Sequence, residues 1–113
     1  MALSGDDRVT AMVLEIRERH RANWRDKSDA YWFMRLVEEV GELGEALTVR
    51  KGDRKVGTGD KALADHSDLE EEFGDVLFTL LELSNQLDFD LSTTLEKTLK
   101  RYNRKLNKLK GDS

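Results

Sequence analysis

Two short acidic strings hold the residues most able to do chemistry here. One is Glu38-Glu39-Val-Gly-Glu42 and the other is Glu72-Phe-Gly-Asp75. Each contains a carboxylate pair three residues apart, Glu39 with Glu42 and Glu72 with Asp75. On a helix, where each residue turns by about 100°, that spacing puts both members on one flank. Glu39 lies roughly 60–80° from the apolar stripe of its own segment and Glu42 about 60° further round. Glu72 lies roughly 80° from its stripe, with Asp75 about 60° beyond. If the two segments pack antiparallel, four carboxylates meet at one rim and repel. A hard divalent cation resolves that repulsion, because Mg²⁺ takes oxygen ligands and favours carboxylates together with phosphate and water.

The order of charges along the chain points the same way. From Leu36 to Val49 there are four acids and no base. From Ala62 to Glu96 there are ten acids and no Lys or Arg, and from Lys97 to Lys110 seven bases and no acid. Like charges at i,i+3 and i,i+4 repel by a few tenths of a kcal/mol per pair. On this reading Glu38, Glu39, Glu42 and Glu45 stack with no basic partner on their own helix. A plainer account is a solvated acidic face matched by the basic last helix. Gly41, Gly44 and Gly74 interrupt the acidic segments, each costing about 1 kcal/mol relative to alanine. Either another helix or a ligand comes close there, or the glycines are tolerated at a tight crossing.

Four helices must position these groups. The first is expected from about Asp6 to Arg25, on the spacing of Val9, Met12, Val13, Ile16 and His20 or Trp24. The second runs from Ser28 or Asp29 to Arg50, with Trp32, Leu36, Val40, Leu43 and Leu47 as its stripe. The third runs from Ser67 or Asp68 to Leu87, with Leu69, Phe73, Val76, Leu77, Leu80, Ser84 and Leu87 on one face. The fourth starts at an Asp90 or Ser92 cap and runs to Leu109. Lys51–Asp68, rich in glycine and mixed charge, reads as a loop, with a short helical turn at 61–65 as one option. Short connections imply antiparallel neighbours, so the expected fold is an all-α antiparallel four-helix bundle.

The chain has 113 residues and a net charge of −4, which sets one domain as the default. With no cysteine and two histidines, a disulfide scaffold, a thiolate zinc site and a cysteine nucleophile are excluded. The absence of proline suits helices. No apolar run reaches the 18 or so residues of a membrane span, and the N-terminus lacks the pattern of a signal peptide. The expectation is a cytoplasmic protein. A core this small is thin, so self-association as a dimer or tetramer would help it.

Leu36 to Leu47, followed by Leu69 to Leu80, resembles the MazG-like, all-α NTP pyrophosphohydrolase family. That family is marked by EExxE on one helix, here Glu38-Glu39-x-x-Glu42, and by ExxD on the next, here Glu72-x-x-Asp75. The resemblance covers Trp24 to Lys105. It implies cleavage of a nucleoside triphosphate between the α and β phosphates, giving the monophosphate and pyrophosphate. It further implies Glu39, Glu42, Glu72 and Asp75 as ligands of Mg²⁺, with Mn²⁺ able to substitute, and Glu38 as the group that orients or deprotonates the attacking water. The closing helix resembles the family segment K-x-N-x-K-[FY]-x-x-R, which would make Lys97, Arg101, Arg104 and Lys105 phosphate contacts. Leu99 stands where that segment commonly has Asn. Trp24 or Trp32 is a candidate to stack on a nucleobase, the alternative being a core role for that aromatic cluster. Arg50, Lys51, Arg54, Lys55 and Lys61 are candidates to close over phosphates. His20 and His66 are read as surface or core residues.

Other readings compete. A di-iron bundle wants Glu-x-x-His on two helices, but Arg17 precedes His20 and Leu63 precedes His66 at that spacing. A phosphoribosyl-ATP pyrophosphohydrolase shares the carboxylate chemistry and differs in substrate. A helical interaction module would join acidic and basic faces across a dimer and show no Mg²⁺ dependence. A negative net charge and the lack of a recognition motif argue against DNA binding.

Overall fold

The structure is a computed structural model that describes residues 5–50 and 66–111. It contains four α-helices in chain order: α1 Gly5–Asn23, α2 Asp29–Arg50, α3 His66–Gln86 and α4 Leu91–Gly111. The all-α architecture is the expected one, and no strand occurs among the described residues. Of the loop expected over 51–68, residues 51–65 lie outside the described residues, with the helical turn and the bases placed on it except Arg50, while His66, Ser67 and Asp68 already belong to α3.

Local chemistry sets the boundaries. Trp24 N–H still bonds to His20 O at 2.8 Å, and Lys27 N–H turns back to Trp24 O at 3.1 Å, which closes α1. Ser28 Oγ accepts the Tyr31 N–H at 3.0 Å and caps α2, as Asp90 Oδ1 accepts the Thr93 N–H at 3.1 Å and caps α4. The end of α3 is a Schellman turn. Phe89 N–H reaches Ser84 O at 2.9 Å, Asp88 N–H reaches Asn85 O at 3.2 Å, and Asp88 takes a positive φ of 56°. Aspartate is among the few non-glycine residues that enter that conformation readily.

α2 packs along α3 and α1 packs more lightly on α3. The pairing of α2 with α3 is antiparallel. Trp32 near the start of α2 stacks against His20, which bonds to Glu82 and Gln86 at the end of α3, whereas Glu39 meets Glu72 and Asp75 near the middle of α3. The buried apolar side chains are Trp32, Leu69 and Leu81; the buried polar ones are His20, Glu39, Thr79 and Glu82. No residue of α4 is buried.

The inward faces differ from the expected stripes. On α3, Phe73, Leu77 and Leu80 are 63%, 49% and 46% exposed, whereas Glu72 is half-buried and Thr79 and Glu82 are buried. On α2, Val40 and Leu47 are exposed and Glu39 is buried. Part of each stripe does face inward, since Trp32 and Leu69 are buried and Leu36, Leu43 and Val76 half-buried, but the inward side is rotated toward the carboxylates. The pattern of hydrophobicity could not show that rotation. Gly41, Gly44 and Gly74 also depart from expectation: a Cβ placed at any of them would meet nothing within 4 Å. The tight crossing that would account for them is not present within the described chain.

Candidate metal centre on the α2–α3 seam

Glu39, Glu72 and Asp75 come together as one group. Each offers a carboxylate oxygen, and these atoms all lie within 4.8 Å of one another. Antiparallel packing brings this about, because it sets the middle of α2 against the first half of α3. Glu39 is buried, Glu72 is half-buried and Asp75 is exposed, so the group runs from the seam outward to solvent. The sequence placed all of them at a rim; Glu39 in fact lies inside.

Burial has an electrostatic consequence. The Glu39 carboxyl titrates above the usual glutamate value, first because it is withdrawn from water, then because the Glu42 and Asp75 charges face it, with the Arg35 guanidinium acting in the opposite direction. Glu42, itself exposed, thus stands beside the cluster. Glu39 Oε2 is buried and accepts no hydrogen bond. A buried carboxylate facing like charges, with an unsatisfied oxygen, is a costly arrangement. It is the donor set a hard divalent cation requires, so these residues fit such an ion.

Sequence reasoning missed Arg35. Its guanidinium lies 3.4 Å from Glu38 Oε2 through Nη1 and 3.3 Å from Glu39 Oε1 through Nη2. The acids of α2 therefore do have a basic partner on their own helix. The signal lies in the spacing, since Glu38 and Glu39 stand at i+3 and i+4 from Arg35, one residue before the acid-only stretch begins. Glu38 is exposed and its carboxylate turns to Arg35.

Four bases of α4 stand apart from the acidic helices among the described residues. Among the described residues, Lys97, Arg101, Arg104 and Lys105 form no ion pair with an acid. Arg101 and Lys105 instead lie 5.5 and 5.1 Å from the ring centre of their neighbour Tyr102. α4 carries one local ion pair of its own from Lys100 to Glu96, at 3.1 Å, and Lys110 is not without a partner. Within the described residues, Lys97, Arg101, Arg104 and Lys105 therefore do not neutralise the acidic face.

The aromatic cluster divides. Trp32 is buried, with the rings of His20, Trp24 and Tyr31 at 5.6, 6.4 and 5.0 Å. Trp24 is exposed at the edge of that group. Trp32 thus has the core role weighed above, and Trp24 is the indole open to a ligand. His20 is a core residue: Nδ1 lies 2.9 Å from Glu82 Oε2 and Nε2 lies 2.9 Å from Gln86 Oε1. Nothing in the hydrophobic pattern marked Glu82 as its partner.

Residues 29–110 match the family model of the MazG nucleotide pyrophosphohydrolase domain. The chain is 39% identical over 69 residues to the uncharacterized protein YpjD of Bacillus subtilis, covering 61% of this chain and 59% of that one. It is 30% identical over 87 residues to the nucleoside triphosphate pyrophosphohydrolase/pyrophosphatase MazG of Thermotoga maritima, covering 77% of this chain and 27% of that protein. Both matches thus span less than two thirds of the relative. The crystal structure of Bacillus subtilis YpjD, described as a candidate pyrophosphatase, superposes with a TM-score of 0.70 at 29% identity, over 91% of this chain and 99% of that one. The matched segment takes in α2, α3 and nearly all of α4, and with them every carboxylate of the seam: the chain belongs to the MazG nucleotide pyrophosphohydrolase domain family.

Proposed function

We propose that the chain is a hydrolase that cleaves nucleoside triphosphates between the α and β phosphates, releasing the monophosphate and pyrophosphate. The observation that carries this reading is the convergence of Glu39, Glu72 and Asp75 on the α2–α3 seam. The family match and the MazG relative from Thermotoga maritima support it. The substrates are deoxynucleoside or non-standard nucleoside triphosphates, and the role is cleaning of the nucleotide pool.

Glu39, Glu72 and Asp75, with Glu42 beside them, would hold Mg²⁺, or Mn²⁺ in its place. A bound ion of this kind neutralises charge on the polyphosphate and makes water more acidic. The protein's own part is to hold these carboxylates in one place before substrate arrives. Glu38, exposed and adjacent, orients or deprotonates the attacking water. Lys97, Arg101, Arg104 and Lys105 hold the polyphosphate, and Trp24 stacks on the base. Since no described residue of α4 is buried, the working form is a homodimer or homotetramer. No described helix is long and apolar enough to cross a membrane, and the site of action is the cytoplasm.

The test is a panel of deoxynucleoside and ribonucleoside triphosphates with Mg²⁺, resolving all phosphate products. The expected products are monophosphate and pyrophosphate. Nucleoside diphosphate and orthophosphate as first products would overturn the assignment. Equal rates in excess EDTA would overturn the metal dependence.

A further inference from the structure

Arg35 holds two consecutive carboxylates with separate nitrogens of one guanidinium, Nη1 on Glu38 at 3.4 Å and Nη2 on Glu39 at 3.3 Å. The two contacts do different things. Glu38 is exposed, and Arg35 ties its Oε2 to the same guanidinium that meets Glu39. Glu39 is buried, and Arg35 takes its Oε1, while Oε2 stays buried without a hydrogen bond. A carboxylate turns readily about its last bond, so a donor fixed to one oxygen decides which oxygen is left for a cation.

We propose that Arg35 is a positioning residue for the acid cluster. Its planar fork fixes Glu39 with Oε2 available to the divalent ion and holds Glu38 beside it. This rests on the metal reading given under Proposed function. Lysine could not replace it, because an ammonium is a point charge and does not span two carboxylates in one plane.

Removing Arg35 has two opposing effects. A cation near the site is lost, which favours metal binding. The orientation of Glu39 is also lost, which disfavours it. The Arg35 side chain is 44% exposed, so its charge is screened by water, whereas orientation acts at contact. Orientation therefore wins.

The experiment measures Mn²⁺ binding to the nucleotide-free protein, from the spin-resonance signal of free Mn²⁺. Wild type is compared with Arg35→Gln, Arg35→Lys and Glu39→Gln, with helix content checked by circular dichroism. Both Arg35 variants should bind Mn²⁺ about tenfold more weakly, the scale found when a group that orients a metal ligand is removed. Wild-type affinity in Arg35→Lys would overturn the proposal, because charge alone would then suffice. Equal or tighter binding by Arg35→Gln would also overturn it. Glu39→Gln separates the two readings. If it abolishes Mn²⁺ binding while the Arg35 variants bind normally, only the role of Arg35 fails. If it binds Mn²⁺ as wild type does, the acid-cluster site falls and the role of Arg35 falls with it.

Discussion

His20 Nδ1 sits 2.9 Å from Glu82 Oε2, and both side chains are shut off from solvent. This contact fastens the end of α1 to the end of α3 and sets the ring against which Trp32 packs. A buried pair of this kind is weak support for net stability, yet breaking it from one side is expensive, because the remaining partner is stranded. Glu82 is the more vulnerable partner, since its Oε1 already lacks a hydrogen bond. His20→Phe alone should cost about 3–5 kcal/mol, whereas His20→Phe with Glu82→Leu should recover much of that loss. Urea denaturation of the two single variants and the double variant measures this. Additive losses would mean that the two residues do not act as a pair.

The raised pKa of Glu39 predicts a pH dependence. The folded chain holds that proton more tightly than the unfolded chain, whose glutamate titrates near 4.5. Stability from this group is therefore complete below about that pH and is lost as pH rises through the raised value. In EDTA, the melting temperature of wild type should fall across that window. Glu39→Gln should flatten the fall, and Glu42→Gln or Asp75→Asn should lessen it by removing a facing charge. Added Mg²⁺ should reverse the trend, because carboxylates must be deprotonated to bind it. At a hundredfold excess over Kd the gain is about 2.7 kcal/mol. A calorimetric scan from acid to neutral pH, with and without Mg²⁺, reads both effects.

Substitutions on α4 should separate binding from folding. Because Lys97 and Arg101 are exposed and no described residue of α4 is buried, Lys97→Ala or Arg101→Ala should change chain stability by no more than about 0.5 kcal/mol. If these bases contact the polyphosphate in the ground state, KM should rise with kcat little changed. Steady-state kinetics and thermal melts on the same samples check both halves. Unfolding with an unchanged KM would make the bases structural.

The two tryptophans should respond differently. Trp32→Ala removes a buried indole and should cost about 3–5 kcal/mol. Trp24→Ala should cost much less and should weaken the effect of the base on KM. In Trp32→Phe, which leaves Trp24 as the sole indole, nucleotide should quench the fluorescence. No quenching there would remove base stacking from Trp24.

Four helices and their limits were legible in the sequence because cap residues act locally: Ser28 and Asp90 do what their side chains predict. The pairs Glu39–Glu42 and Glu72–Asp75 were legible because spacing on a helix is arithmetic. The direction in which each helix faces was not. Phe73, Leu77 and Leu80 form the stronger stripe, but the chain buries Glu72, Thr79 and Glu82 more deeply. A hydrophobic pattern assigns the apolar side inward and cannot say that apolar surface is left outside. The contact of His20 with Glu82, 62 residues apart, lay beyond any local rule. Arg35 was within reach of one and was overlooked.

The open space at Gly41, Gly44 and Gly74 gives the helices a shape that the described residues do not use. Three glycines in helix interiors forgo about 3 kcal/mol relative to alanine, a large share of the 5–15 kcal/mol that keeps a typical protein folded. With no atom within 4 Å of any of the added methyls, nothing inside the described chain is gained in exchange. The acidic helices are thus smoother than their own stability requires. They carry bare backbone on the same stretches as the carboxylates, where a side chain could be added without meeting a neighbour.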